Sequence, residues 1–187
     1  MRRKDREMGL GFAHKVIDES RFGVLSVSDG NSFTPYSIPL SLVRCGDFLY
    51  FHTAMEGHKI ELLSLHDQVR VVFVGNVQVP ELFTNDQLDE MVRNKEQAIR
   101  LISSVFTTEY ESAIVEGHVA EVADKDEKTF ALKLICEKYT PDKMAYFDHA
   151  LKAGLQGTKI FRIEMETVTA KRKKYDENGN EIKWGNE

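Results

Sequence analysis

Apolar and polar positions along this chain change period several times, and the changes mark out its elements. From about Met8 to Ser20, Phe12, Val16 and Ile17 fall on one face of a helix. Phe22 to Ser28 then alternates as a strand and runs into the turn Asp29-Gly30-Asn31. The next strand, Thr34 to Leu42, carries Pro35 and Pro39. Proline has no amide to donate to a ladder, so this strand is expected to be bulged, at an edge, or open to a ligand. Arg44 to Asp47 reads as a tight turn. Beyond it Leu49, Phe51 and Thr53 alternate with Tyr50 and His52, and after Gly57 the spacing of Ile60, Leu63 and Ser64 becomes helical.

Gln68 to Val74 is apolar and β-branched, the composition of a buried strand. Thr84-Asn-Asp-Gln87 has the form of a capping box, and Leu88, Met91, Val92, Ile99, Ile102 and Val105 follow it with an imperfect helical period. That predicts a long helix from about Asp86 to Ser104, within a helical insertion at 84–106. Tyr110 to Val122 returns to strand, with Gly117 as a bulge or a close-approach site. Asp124 starts a helix to about Tyr139, with Leu132, Ile135 and Cys136 inward. Thr140-Pro141 opens another, to about Lys152, which Gly154 and Gly157 end. Lys159 to Lys171 is the last strand, and the tail 172–187 holds a small turn at Asn178-Gly179. No repeat and no linker divides the chain, so residues 1–187 read as one domain. About six strands with turn signals, interrupted by separate helices, predict an α+β fold with a closed or partly closed antiparallel barrel.

Composition narrows the class. Hydrophobic residues make up 42% of the 187, enough for a substantial core, and 29% are charged, ordinary for a soluble protein. The formal net charge of −5 argues against nucleic acid as the main partner. No apolar run follows the charged opening Met1 to Glu7, and none elsewhere is long enough to span a bilayer, so neither a secretory signal nor a membrane segment is expected. Cys45 and Cys136 form no disulfide framework and no metal pattern; two free thiols in a reducing cytoplasm are the expectation. No histidine pair has zinc spacing, and there is neither a nucleophile elbow nor a Walker loop. The basic run Lys171 to Lys174 lies beside acids and reads as a solvated strand end.

The stretch Phe51 to Leu63 carries the most chemistry. A strand leads through a glycine turn to a helix N-terminus, whose first amides have no intrahelical acceptor. His58 and Lys59 add two donors there, and Lys59 a fixed charge. The set fits a phosphate. It also fits a solvated lysine beside a turn histidine, and spacing alone does not separate the two readings.

Several pieces, taken in order, resemble one family. They are the opening Met1 to Glu7, the pair Pro35-Tyr-Ser-Ile-Pro-Leu40 and Leu49-Tyr-Phe-His-Thr-Ala-Met-Glu-Gly-His-Lys-Ile60, and Tyr110-Glu-Ser-Ala-Ile-Val-Glu-Gly117. The set resembles the FMN-binding split-barrel proteins related to pyridoxamine 5′-phosphate oxidase, nearest the 5-nitroimidazole-resistance branch. The likeness runs from residue 1 to about residue 170, and H-x-A-x-E-G-x-K-I, from His52 to Ile60, is its more specific part.

The resemblance implies a split β-barrel homodimer with FMN at the subunit interface. Ser37, Ile38, Pro39 and Leu40 would offer backbone groups to the polar edge of the isoalloxazine. His52 and Thr53 would lie beside the ribityl chain or phosphate. His58 and Lys59 match an arginine-lysine pair on the phosphate, and Ser112 a polar residue that meets the flavin from the neighbouring strand. Two departures stand out. Histidine replaces the arginine at His58, which weakens the hold on phosphate near neutral pH. The oxidase's C-terminal Trp-Gly…Arg substrate signature is not in place: Trp184-Gly185 lies in the extreme tail with no arginine behind it. Oxidation of pyridoxamine phosphate is therefore not expected. The expected function is an FMN-dependent oxidoreductase of small molecules, with a nitroaromatic, a quinone or another flavin as electron acceptor. The alternatives are a flavin-binding protein without turnover, and a haem-binding split barrel with His52 or His149 as axial ligand. No catalytic acid or base can be named from the residues.

Overall fold

The structure, a computed structural model, describes residues 3–30, 34–94, 97, 99 and 101–184. In chain order these form β1 (Glu7–Met8), α1 (Leu10–Glu19), β2 (Gly23–Val27), β3 (Tyr36–Leu40), β4 (Val43–Cys45) and β5 (Phe48–Thr53). Then come α2 (His58–Leu65), β6 (Gln68–Gln78), α3 (Asn85–Arg93), β7 (Glu109–Glu121), α4 (Lys125–Tyr139), α5 (Phe147–Gly154) and β8 (Lys159–Lys173). Each strand pair with a defined register is antiparallel, which makes the fold α+β as expected. The chain divides into two compact units, one of residues 1–16, 74–113 and 169–187, the other of residues 17–73 and 114–168. Among the described residues no helix is long and apolar enough to cross a membrane.

In the second unit the strands lie in the order β3-β2-β6-β7-β8-β5-β4, an open path that ends on β3 and β4. Alternation builds its core: Leu25, Phe51, Val71, Phe73, Val115 and Ile163 are almost wholly buried, and Phe51 stacks on Phe161 with ring centroids 5.4 Å apart. A second layer packs Ala131 and Ile135 of α4 onto Val43, Tyr50, Val122 and Ile160. Asp124 caps α4 by accepting from the Glu127 amide at 2.8 Å. At the other end the Lys138 ammonium donates to the carbonyls of Ile17 and Leu42 at 3.1 and 3.0 Å. The Tyr139 hydroxyl donates to the same Leu42 carbonyl at 2.7 Å. Of the two readings of Gly117, the close approach is the one observed: a Cβ there would stand 2.0 Å from the Glu164 carbonyl oxygen.

The first unit ties the two ends of the chain together. Glu7 and Met8 pair with Lys171 and Ala170. Beyond β8 the chain turns at Gly179, φ +76°, with the Asp176 carboxylate accepting from the amides of Asn178 and Asn180 at 2.9 and 2.8 Å. The returning Glu181 accepts from both the Nε and Nη2 of Arg6, the latter at 2.8 Å, and from Lys183 at 2.9 Å. These partners, Arg6 first, hold the Glu181 carboxyl down at about 2 against an ordinary 4.5. Because the folded value lies below the unfolded one, the stability it contributes is present above pH 4.5 and is lost as pH falls from there towards 2. Glu181→Gln is therefore expected to cost about 1–2 kcal/mol at pH 7 and to flatten the acid limb of a denaturation profile between those values. An unchanged acid limb would remove Glu181 from the account of acid lability.

Several expectations need correction. Among the described residues there are eight strands where about six were expected. The two added ones, β1 and β4, have two and three residues, and pairing partners rather than an apolar pattern make them strands. The long helix expected from Asp86 to Ser104 ends at Arg93. Residues 95, 96, 98 and 100 lie outside the described residues, and Leu101–Val105 is a π-helical turn. Val92, Ile99 and Ile102 are 65%, 72% and 73% exposed, so no buried stripe holds one continuous helix together. The capping box at Thr84 and Gln87 is present and starts α3. The helix expected after Pro141 is divided into a 3₁₀ segment, Pro141–Tyr146, and α5.

Candidate flavin-phosphate site

The chain leaves β5 at Thr53 and enters α2 at His58 through a four-residue loop. Gly57, at φ 127°, is the N-cap and supplies no side chain to the helix start. A Cβ at Gly57 would meet nothing within 4 Å, so backbone conformation, not crowding, calls for glycine. The Gly57 carbonyl accepts from the amides of Ile60 at 2.8 Å and Glu61 at 3.3 Å. The amides of His58 and Lys59 precede them and have no intrahelical acceptor.

A cavity of about 430 Å³ opens at this helix start, between Tyr36 and Ile38 of β3, His52 and Thr53 of β5, and the loop and first turn of α2. Lys59 is half-buried in its wall, and no carboxylate lies within ion-pair distance among the described residues. Burial pushes its ammonium below the usual lysine range. The His52 imidazole is also held below its ordinary value, first by the atoms packed around it and then by the Lys59 charge, so the neutral ring predominates at pH 7. His58 is exposed; its Nδ1 is 3.4 Å from a Glu61 carboxylate oxygen, and its ring meets Tyr36 edge-on at 5.2 Å. Tyr36 is a site residue the sequence reading missed. The alternation that puts it on the same face as Ile38 was the available signal. Glu56 lines the same cavity and opposes an anion there.

β3 contributes both side chains and backbone. Its exposure alternates, with Tyr36, Ile38 and Leu40 half-buried and Ser37 and Pro39 exposed. Ile38 lines the cavity, whereas Ser37 reaches the opposite residue of β2, its Oγ 2.8 Å from that of Ser26. β3 ends the strand path, with β2 as its sheet neighbour. Val24 faces Pro39 and Ser26 faces Ser37 in the ladder. Since Pro39 cannot donate, these are the non-hydrogen-bonded pairs, which also accounts for the close Ser26–Ser37 contact. The amide and carbonyl of Ser37 and the carbonyl of Pro39 therefore point to the open edge. Of the remaining expected residues, Ser112 is half-buried on β7 and belongs to the first unit, whereas the other eight belong to the second.

The family model for pyridoxamine 5′-phosphate oxidase matches residues 12–172. This chain belongs to that family. None of the curated proteins matches the sequence. Among solved structures, this pyridoxamine 5′-phosphate oxidase family member is similar to a candidate 5-nitroimidazole antibiotic resistance protein from Bacteroides thetaiotaomicron VPI-5482. The two are 22% identical, with a TM-score of 0.66 over 89% of this chain and 86% of that one. It is also similar to a FAD-binding protein from Mesorhizobium loti, at 20% identity and a TM-score of 0.53, over 89% of this chain and 96% of that one. A FAD and heme binding protein from Mycobacterium smegmatis matches at 15% identity and a TM-score of 0.66, over 90% of this chain and 73% of that one. These likenesses establish the split-barrel fold and agree with the family and branch read from the sequence. In this family member Trp184 stacks on the Arg172 guanidinium at 4.3 Å, inside the first unit.

Proposed function

We propose that this protein binds FMN and uses it to reduce or oxidise small molecules, as a homodimer with the cofactor at the interface. The observation that carries the proposal is Lys59: a half-buried ammonium without a carboxylate partner among the described residues, at a helix start that none of their side chains caps. A phosphate answers each of these features, because it supplies the missing anion and accepts from the free amides. The outward backbone groups of Ser37 and Pro39 are suited to the donor and acceptor pattern of a flavin's pyrimidine edge. Ile38 and Tyr36 give a flat ring apolar and aromatic contact. Neutral His52 can donate from one ring nitrogen to a ribityl hydroxyl or phosphate oxygen without adding charge. Glu56 limits the affinity and favours the dianion being held deep, against Lys59. Bound FMN supplies the electron transfer; the residues of this chain bind it, orient it and shape the space beside it.

The test is the visible spectrum of the purified protein, followed by denaturation and identification of the released pigment. A flavin spectrum with FMN released is expected. A Soret band, or a colourless protein that takes up no added FMN, would overturn the proposal, and release of FAD would correct its cofactor. Turnover is tested separately, with NAD(P)H and nitroaromatic or quinone acceptors; failure with all of them would leave a flavin-binding protein.

A further inference from the structure

The second unit contains another cavity, of about 590 Å³, within the size range of small-molecule sites. It opens between the first turn of α4, the end of α5 and the start of β8, with Met55 closing one side. Its floor is apolar, made by Met55, Ala123, Leu151 and Leu155. Met55 is 49% exposed there, a large apolar side chain facing solvent. Lys125, Lys128 and Lys152 line the same cavity.

The charge balance is one-sided. Glu121 also lines the cavity, but Lys159 pairs with it at 2.7 Å and cancels it. Among the described residues no carboxylate lies within ion-pair distance of Lys125, Lys128 or Lys152. Three lysines without an ion pair among the described residues therefore line a partly apolar cavity, in a protein whose net charge is −5. Two neutral donors in the lining are already engaged: the Thr129 hydroxyl donates to the Lys125 carbonyl at 3.0 Å, and the Thr158 hydroxyl to the Gly154 carbonyl at 2.9 Å, which leaves the Gln156 amide as a further donor there. Like charges gathered at one rim repel one another, and an anion between them relieves that repulsion. An apolar floor of this size rewards a ligand with an apolar body rather than a bare inorganic ion.

We propose that this cavity binds a small amphipathic organic anion, of the aryl- or alkyl-carboxylate class. It is distinct from the flavin-phosphate cavity, and the inference does not rest on the flavin reading. The two cavities share the loop after β5, which sends Met55 into this one and Ala54 and Glu56 into the other.

The probes are naphthalene-2-carboxylate and its neutral isostere naphthalene-2-carboxamide, titrated calorimetrically into the full chain with and without saturating FMN. The carboxylate is expected to bind at least about tenfold more tightly than the carboxamide, with an affinity that falls as salt rises. In the double variant K128Q/K152Q that preference is expected to disappear, with carboxamide binding and the melting temperature unchanged. Both outcomes are expected to hold with FMN present, which separates this site from the other one. Equal affinity for the two probes, an undiminished preference in the variant, competition by FMN, or no carboxylate binding at millimolar concentration would each overturn the proposal.

Discussion

On the proposed phosphate site, Lys59→Ala is expected to weaken FMN binding about ten- to a hundredfold while leaving the fold intact. A hydrogen bond to a charged partner contributes about 1.5–3 kcal/mol, which corresponds to that range in Kd. The native protein does not use this ammonium in an ion pair among its described residues, and its burial already disfavours the charge. Truncation therefore removes a desolvation cost from the free protein, and the loss falls on the complex. His52 gives an independent readout. Its pKa is depressed first by desolvation and second by Lys59, so deleting the cation moves the imidazole back up towards its ordinary value. Proton NMR of the His52 ring in the free variant measures this without any cofactor. Lys59→Arg, which keeps a charge and adds a fork of donors, is expected to bind FMN nearly as well as the parent. Parental affinity in Lys59→Ala would remove the phosphate from this helix start.

Residues 51–63 were legible in the sequence because local rules govern them. Alternation defines β5, a glycine without a competing cap defines the turn, and helical spacing defines α2. Pro39 limited its strand to a bulge, an edge or a ligand-facing position for the same reason, since a missing donor is a property of the residue and not of its neighbours; the strand path ends on β3. What resisted reading depended on partners and surfaces outside the segment itself. β1 and β4 exist because β8 and β5 supply their ladders. The stop of α3 at Arg93 depends on Val92, Ile99 and Ile102 finding no surface to cover, which periodicity does not reveal. Ser37 to Leu40 were read for their backbone groups; where their side chains go, Ile38 towards the cavity and Ser37 towards Ser26, follows from the pleat once the register with β2 is known. Glu56, which opposes the anion, was visible in the motif, but its charge has meaning only once the cavity wall is known.

Gly117→Ala is expected to cost about 3–5 kcal/mol, a large share of the 5–15 kcal/mol that holds a typical domain folded. The added Cβ would stand 2.0 Å from the Glu164 carbonyl oxygen and 3.0 Å from its carbon, both main-chain atoms that no rotamer change can move. Retreat of β8 is resisted on its far side, where Glu164 pairs with Phe48 and the Met165 amide donates to the Asp47 carbonyl at 2.9 Å. Retreat of β7 is resisted as well. Glu116 is paired with Arg70, and His118 bridges Asp67 at 3.0 Å and Glu166 at 3.3 Å. Either movement breaks a ladder to save a contact, and the strands cannot share the displacement without losing hydrogen bonds on both sides. Gly154→Ala is the control: a Cβ there meets nothing within 4 Å in a helix-terminal position at φ −111°, so that variant is expected to be neutral or slightly stabilising. Urea unfolding of both variants measures the difference directly. A loss below about 1 kcal/mol in Gly117→Ala would mean that β7 and β8 stand further apart in solution than this register requires.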